Sequence, residues 1–266
     1  MECKICSSKS DSLFSARILQ KYDIRYFKCD VCGFIQTEQP YWLEEAYQDA
    51  IASLDIGYVS RNLFYRDIVA SILKKKWFNF NGKFLDYGGG YGLFVRLMRD
   101  KGFNFYRQDA YCKNLFAQYF DVEKAETYDL VTAFEVFEHL ENPLLEIEKM
   151  LQYANSILFT TELQPGIEIK SINDWWYFAP ETGQHISFYT KESLQCLAEK
   201  FRLNLYTNNC DLHLLTIKKL PTNFLIRPAR AHIFANRVVN KLFWNKEGLL
   251  PHDFEYVKKS LNTNQQ

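Results

Sequence analysis

The sequence predicts an α/β protein, a three-layer sandwich around a mostly parallel sheet that ends in an antiparallel hairpin, with a small four-cysteine ribbon before it. Short apolar runs alternate with helical patterns over much of the chain, an order that places helices on both faces of a parallel sheet. Two Cys-x-x-Cys pairs lie outside this alternation, near the N-terminus. We expect a ribbon at 1–40, a helical connector at 41–81, the α/β domain at 82–219 and a helical tail at 220–266.

The composition is that of an ordinary globular chain. Its 266 residues are 47% hydrophobic and 24% charged, and 32 Lys/Arg balance 32 Asp/Glu. A balanced chain has no general electrostatic attraction for nucleic acid or anionic membranes. No apolar run is long enough for a membrane span, and the first ten residues lack the apolar centre of a signal peptide. We therefore expect a cytoplasmic protein.

Four of the seven cysteines form two pairs, Cys3 with Cys6 and Cys29 with Cys32. Two such pairs bring four thiolates around one tetrahedral zinc ion. The 22 residues between the pairs slightly exceed the usual spacing of about 15–20, which a longer ribbon loop absorbs. A redox dithiol or unrelated core cysteines are the alternatives, but neither accounts for two copies of the spacing. We predict a structural Zn²⁺ that holds the ribbon together.

The remaining elements follow in chain order. Helical spacing over 40–76 predicts one or two connector helices. Four strands are predicted at 83–87, 103–110, 128–134 and 154–161. Helices are predicted after Gly92, from Pro143 with Asn142 as its cap, and after Thr190 as its cap.

A long loop at 171–189 precedes the last of these helices, and a hairpin over 202–218 turns at an Asn-Asn pair. Within the loop, the aromatic run at 175–178 is either a wall for a bound acceptor or a hydrophobic anchor of the loop. The tail is locally basic, with five Lys/Arg against one Glu between residues 221 and 248. Solvated helices are its simplest interpretation, and a surface for an anionic partner is the alternative.

Four glycines fall within five positions directly after the first predicted strand, in the run "FLDYGGGYGLF". Each weakens regular structure by roughly 0.5–1 kcal/mol relative to alanine. The spacing fits neither the phosphate loop, since no lysine follows, nor the dinucleotide fingerprint. The pattern that remains contains Asp86, Gly88, Gly90 and Gly92. We interpret it as a site where a small molecule lies almost against the backbone, with a tight turn of positive φ as the alternative.

The acidic residues indicate which molecule this is. Asp86, at the end of the strand, would repel a pyrophosphate and attract a cation. Asp109 follows Gly88 by 21 residues, the distance at which an acid takes the two hydroxyls of a ribose. A cationic nucleoside meets both demands, and S-adenosylmethionine is such a molecule.

Residues 82–161 resemble the class I S-adenosylmethionine-dependent methyltransferases, whose fold is Rossmann-like. The resemblance is carried by "FLDYGGGYG", by the acid in "FYRQDAY" and by "YDLVTAFEVFEHLENPLLEIEKML". It implies that Asp86 and the glycines Gly88, Gly90 and Gly92 surround the methionine part of the donor. It also implies that Asp109 binds the ribose and that Glu135 lies beside donor and acceptor.

Two histidines are candidates for the catalytic role. A base is needed where the acceptor is an oxygen of high pKa, and histidine suits that task at neutral pH. His139 lies in the E-x-x-E-H motif common in this branch of the family, which favours a structural or donor-orienting role. His185 resembles the histidine that precedes "F-x-T-x-x-S-L" segments in small-molecule methyltransferases, although Gln184 replaces the glutamate of the deoxysugar enzymes. A hydrogen-bonded loop histidine is the alternative for His185.

The four-cysteine ribbon before such a domain resembles the sugar C-methyltransferases, over the ribbon and donor domain only. We therefore expect S-adenosylmethionine-dependent methyl transfer to a small polar acceptor, a sugar or polysaccharide precursor. One alternative is an RNA methyltransferase that uses the ribbon to bind nucleic acid. Residues 1–37 have only a small excess of basic side chains, too few to follow a phosphate backbone. The other alternative is a non-catalytic zinc module that binds the donor.

Overall fold

The computed structural model describes residues 1–47, 53–122, 126–225 and 249–263. Its strands are β1 (Ser10–Ile18), β2 (Tyr22–Cys29), β3 (Ile35–Thr37), β4 (Lys83–Tyr87), β5 (Asn104–Gln108), β6 (Leu130–Ala133), β7 (Ser156–Thr160), β8 (Ser187–Phe188), β9 (Asn204–Thr207) and β10 (Leu212–Thr216). Its helices are α1 (Leu43–Ala46), α2 (Tyr58–Leu73), α3 (Leu93–Asp100), α4 (Pro143–Tyr153), α5 (Lys191–Lys200) and α6 (Leu250–Thr263). Short 3-10 turns lie at Phe137–His139, Ile172–Asp174 and Trp176–Phe178.

The larger sheet has six strands in the order β5-β4-β6-β7-β10-β9. The first four are parallel, and β10 is antiparallel to both β7 and β9. β5 and β6 lie on opposite sides of β4, so the order in which strands are added to the sheet reverses at β4. A crevice forms at such a point, beyond the carboxyl ends of the strands.

Side chains alternate between two cores, as the period of two in a strand requires. Phe84 and Leu130 pack with α2 and α3 on one face. Leu85 and Val131 pack with α4 and α5 on the other. The three-layer α/β sandwich with a terminal hairpin is therefore confirmed.

Of the two N-terminal helix caps predicted from the sequence, Thr190 and Asn142, one is present in the structure. Thr190 accepts a hydrogen bond from the backbone N–H of Ser193 at 3.0 Å and so caps α5. Asn142 occupies the cap position of α4, but its side chain makes no capping hydrogen bond. Pro143 at the first helical position starts this helix without one.

The N-terminal ribbon is a second sheet, with strand order β1-β2-β3-β8. Its fourth strand comes from the long loop at 171–189, because β8 pairs with β3. The indole Nε1 of Trp42 donates to the carbonyl of Gly183 at 2.8 Å and adds a second connection. The ribbon therefore holds the long loop in place over the crevice of the larger sheet.

Within the predicted tail at 220–266, residues 226–248, which contain the basic stretch, and residues 264–266 lie outside the described residues. The described part of the tail contains the helix α6. Lys258 of this helix pairs with Glu181 of the long loop. Among the residues whose structure is described, no helix combines the length and apolar character needed to cross a membrane.

Candidate active site and four-cysteine cluster

The four predicted cysteine ligands come together in the ribbon. Their sulfur atoms are 3.7 Å apart between Cys3 and Cys32, 3.5 Å between Cys6 and Cys29, and 3.6 Å between Cys6 and Cys32. Sulfurs around a tetrahedral ion with bonds of about 2.3 Å lie about 3.8 Å apart. The N–H of Ile5 also donates to the sulfur of Cys3 at 3.4 Å. Distances and donor set therefore fit one tetrahedral cation, as the sequence predicts.

The glycine turn connects β4 to α3 at the crevice. Gly88, Gly90 and Gly92 have φ of +69°, +51° and +85°, where residues with a side chain are strained. A Cβ at Gly92 would lie 2.6 Å from Oδ1 of Asn114, whereas the contact found for one at Gly90, among the described residues, is the hydroxyl of Tyr58 at 3.7 Å. A positive φ therefore accounts for three of the four glycines. The open side of Gly90 faces the cleft.

Asp86 lies near the carboxyl end of β4, beneath the glycine turn. Its Oδ1 accepts a hydrogen bond from the hydroxyl of Thr132 at 2.7 Å, and the residue is 4% exposed. Burial raises the pKa of Asp86 to about 7, and the hydrogen bond from Thr132 opposes that rise. The carboxyl group is thus close to its titration point at neutral pH, and a nearby cation would favour its ionised form.

Asp109 follows β5 and connects that strand to the glycine turn. Its Oδ2 accepts from the N–H of Gly90 at 2.9 Å, and its Oδ1 accepts from the N–H groups of Tyr111 and Cys112, each at 2.8 Å. From below, Nε of Arg107 donates to the carbonyl of Gly90 at 2.6 Å. The predicted ribose-binding acid is therefore in the cleft, where it also holds the turn in shape.

Glu135 follows β6 in a left-handed conformation, with φ of +54°. Its N–H donates to the hydroxyl oxygen of Thr160 at 2.8 Å, and that hydroxyl donates back to its Oε1 at 3.1 Å. Its Oε2 lies 3.3 Å from Nε of Arg61, which also pairs with Asp55 at 2.9 Å. Although 37% of its side chain is exposed to the cleft, desolvation by the surrounding protein raises the pKa of Glu135 to about 7.

His139 and His185 meet at the same cleft, with ring centroids 5.0 Å apart. Nδ1 of His139 lies 3.0 Å from the carbonyl oxygen of Gln184, and Nδ1 of His185 lies 2.6 Å from that of Tyr177. Because a carbonyl oxygen only accepts, each Nδ1 carries the proton and each Nε2 presents a lone pair. Burial lowers the pKa of both imidazoles, that of His185 to about 3, so both are neutral at pH 7.

Glu138 lies behind the two histidines, and its side chain has no solvent exposure. Its Oε1 is 4.0 Å from Nε2 of His139. Neither carboxyl oxygen has a hydrogen-bond partner among the residues that the structure describes. Burial raises the pKa of Glu138 to about 7. Its own backbone N–H and the Tyr177 hydroxyl lie nearby without the geometry of a hydrogen bond, and they oppose that rise only in part.

The cleft has a volume of about 2060 Å³ and is lined by Asp86, the glycine turn, Asp109, Glu135 and both histidines. The four aromatic residues at 175–178 lie in two different environments. Trp175, Tyr177 and Phe178 are buried against the ribbon, so they anchor the loop. Trp176 is 73% exposed at the rim of the cleft.

Sequence reasoning missed three side chains of this region. Thr132 is a polar residue inside an apolar strand, and Glu138 is the second glutamate of the E-x-x-E-H motif. These two features of the sequence could have indicated both residues as candidates for the site. Arg107 is buried beneath the glycine turn, and no local pattern distinguishes it from a surface arginine of an edge strand.

Comparison with known proteins supports the same assignment of family. The family described as "Methyltransferase domain" matches residues 59–208. None of the curated proteins compared with the chain matches it.

Solved structures that the chain matches include the plantazolicin methyltransferase BpumL with S-adenosylhomocysteine (SAH) and a monoazolic desmethylPZN analog. That match has 14% identity and a TM-score of 0.49, and covers 73% of this chain and 87% of that one. Another is CalO1, a methyltransferase in calicheamicin biosynthesis, in its SAH-bound form, with 12% identity and a TM-score of 0.44. Here 66% of this chain matches only 61% of the length of CalO1. An O-methyltransferase family protein from Burkholderia thailandensis has 10% identity and a TM-score of 0.44, over 68% of each chain. The family match at residues 59–208 extends over more than half of the present chain. The chain therefore belongs to the methyltransferase domain family.

Proposed function

We propose that the protein transfers the methyl group of S-adenosylmethionine to a small polar acceptor, a sugar or a polysaccharide precursor. The observation that carries the proposal is the arrangement of one cleft at the carboxyl ends of β4 and β6. The glycine turn over Asp86 and the pair His139 and His185 line this same cleft. In this proposal the turn is the donor site and the histidine pair belongs to the acceptor site.

The residues at the glycine turn suit the donor. In this proposal the cationic methionine end lies near Asp86 and against the open side of Gly90, where the nearest atom of another described segment is the Tyr58 hydroxyl. Asp109 accepts three backbone N–H groups, and a carboxylate has about four lone-pair sites. It therefore keeps capacity for a ribose hydroxyl.

The acceptor side combines polar groups with an aromatic rim. Glu135, Arg61 and Asp55 offer hydrogen bonds to hydroxyl groups, and Trp176 offers an exposed ring on which a sugar face can pack. The donor methyl is already activated by the positive sulfur, so alignment supplies much of the catalysis, on the order of 7–11 kcal/mol. We assign His139 and His185 to the acceptor oxygen.

A product assay separates this function from its alternatives. Purified full-length protein is incubated with S-adenosylmethionine and either nucleotide sugars, glycans or RNA, and release of S-adenosylhomocysteine is measured. We expect release with a nucleotide sugar or glycan. Release with RNA alone would support the nucleic-acid enzyme instead, and donor binding without release on any acceptor would support the non-catalytic module.

The His185→Ala variant tests the acceptor side. It should abolish turnover and leave donor affinity nearly unchanged, since the proposal assigns His185 to the acceptor and not to the donor. His252→Ala, in the exposed helix α6, is the matched control and should keep wild-type turnover. Equal loss of donor affinity and turnover in His185→Ala would assign the residue to donor binding.

For the ribbon we propose a structural Zn²⁺ bound by Cys3, Cys6, Cys29 and Cys32. All four positions of a tetrahedral ion are then filled by protein, so the metal has no open position for catalysis. Cysteines that bind a metal instead of forming disulfides are typical of a reducing compartment, which supports a cytoplasmic location. We also propose the divisions 1–40, 41–81, 82–219 and 220–266 as structural units.

A further inference from the structure

We propose that Glu138, His139 and His185 form a second metal site, distinct from the cysteine cluster, that binds one divalent first-row transition-metal cation. One carboxylate oxygen and two imidazole nitrogens, one from each residue, all lie within 4.8 Å of one another. Binding of the cation is independent of the methyl-transfer function. The role we give it in catalysis, activation of an acceptor hydroxyl, rests on that proposed function.

The tautomers of the histidines are those that a metal site requires. A metal-ligating histidine usually donates its other ring N–H to a carbonyl or carboxylate, which fixes the orientation of the ring. Here Nδ1 of His139 is held by the carbonyl of Gln184 and Nδ1 of His185 by that of Tyr177. Both Nε2 lone pairs therefore remain for a ligand, and both rings are neutral.

Glu138 gives the second, independent observation. A buried carboxyl group without hydrogen bonds is costly, and both oxygens of Glu138 lack a partner among the described residues. Its Oε1 lies 4.0 Å from Nε2 of His139. A cation bound between them would satisfy the carboxylate and both imidazoles at once.

The donor set limits the kind of cation. Two imidazoles and one carboxylate suit Zn²⁺, Mn²⁺, Fe²⁺ or Co²⁺, whereas Mg²⁺ and Ca²⁺ prefer oxygen ligands alone. Bonds of about 2.1 Å place ligand atoms roughly 3.0–3.5 Å apart, so the three side chains would close by about 1 Å on binding. The positive charge of nearby Arg61 is balanced by Asp55 and Glu135.

This site would give both histidines a role in the reaction, because an imidazole whose Nδ1–H is held by a carbonyl can offer its Nε2 lone pair to a cation. With a cation held by these three residues, an acceptor hydroxyl beside it would become more acidic, and its proton would leave to water in the open cleft. The oxygen lone pair then forms the bond to the methyl carbon, the carbon–sulfur bond breaks, and its electrons neutralise the sulfonium to a thioether.

Titration with Mn²⁺ tests the site in the full-length protein with zinc in the cysteine cluster. Free Mn²⁺ is measured from its electron paramagnetic resonance signal. We expect one Mn²⁺ bound per chain, displaced by added Zn²⁺, and an affinity at least tenfold weaker in both Glu138→Gln and His185→Ala. His252→Ala is the control and should bind as the wild type does.

Binding of S-adenosylhomocysteine, measured by calorimetry, verifies that each variant is folded, and His185→Ala carries the test if Glu138→Gln does not fold. The site would be overturned if Mn²⁺ stayed free with wild-type protein, or if His185→Ala bound it equally well. Methyl transfer that persists unchanged with EDTA would overturn the catalytic role of the cation. Cation binding without methyl transfer to any acceptor would leave the metal site standing and contradict the proposed function.

Discussion

The hydroxyl of Thr132 donates a hydrogen bond to Oδ1 of Asp86 at 2.7 Å, with both residues buried in adjacent parallel strands. This contact places the carboxyl group beneath the glycine turn, and burial there raises its pKa. The ionised form of Asp86 is therefore less favourable in the folded chain than in water. Such groups concentrate at functional sites.

The pH dependence of stability should report this group. Burial raises the pKa of Asp86 to about 7 in the folded chain, from an ordinary value of 3.8. Between these values the folded state holds a proton that the unfolded state lacks, so the free energy of unfolding falls as pH rises from about 4 to about 7. In Asp86→Asn this contribution is absent, and the profile from urea unfolding should be flatter by up to about 1.4 kcal/mol per pH unit.

Asp100→Asn, which removes an exposed carboxylate at the end of α3, is the control for that experiment. Parallel profiles for wild type and Asp86→Asn between pH 4 and 7 would contradict the assigned pKa.

Two glycine variants should separate stability from donor binding. Gly90→Ala and Gly92→Ala share the strain of a positive φ, but only the Cβ at Gly92 collides with Asn114 and Ala117. We expect Gly92→Ala to lose about 1–3 kcal/mol more stability in urea unfolding. Gly90→Ala should mainly lower donor affinity, measured by calorimetry, because its methyl points into the cleft. Equal donor affinity in Gly90→Ala and wild type would show that the donor does not approach this backbone.

Two residues of the aromatic run at 175–178, one buried and one exposed, allow a matched pair of variants. Phe178 is fully buried against Phe14 and Phe188, so Phe178→Ala should cost about 3–5 kcal/mol in urea unfolding. Trp176 is mostly exposed, and Trp176→Ala should change stability by less than about 0.5 kcal/mol while raising the KM for the acceptor. An unchanged KM would remove Trp176 from the acceptor site.

Loss of the ribbon metal should affect both the ribbon and the cleft. Cys29→Ser should lose the thiolate-to-metal absorption of Co²⁺-substituted protein and unfold at lower temperature, because metal binding contributes to the folding free energy. Turnover should also fall, since β3 of the ribbon pairs with β8, which begins two residues after His185. Cys210→Ser, at an exposed cysteine outside the cluster, is the control. Wild-type absorption in Cys29→Ser would contradict the assigned ligands.

The sequence was most informative where structure is local. The strands β4 to β7 follow directly from apolar runs, and the spacing of Cys3, Cys6, Cys29 and Cys32 predicts a cluster because each pair forms one tight turn. Gly92 has the positive φ of a turn, which a glycine-rich run indicates without any knowledge of the fold.

Long-range pairing was not predictable in the same way. The two-residue strand β8 exists only because it pairs with β3, and no period of two develops over so short a segment. The approach of His185 to His139 depends on that pairing and on the loop that the aromatic residues anchor. The isolation of Glu138 is likewise a property of the assembled core, since an E-x-x-E-H motif reads equally well as a solvated turn.

Binding of the donor is the central claim, and isothermal titration calorimetry of the zinc-loaded protein tests it most directly. S-adenosylmethionine and S-adenosylhomocysteine should each bind at one site per chain, and Asp86→Asn should weaken S-adenosylmethionine by tenfold or more. An absence of heat with both ligands, over concentrations up to the millimolar range, would contradict the account.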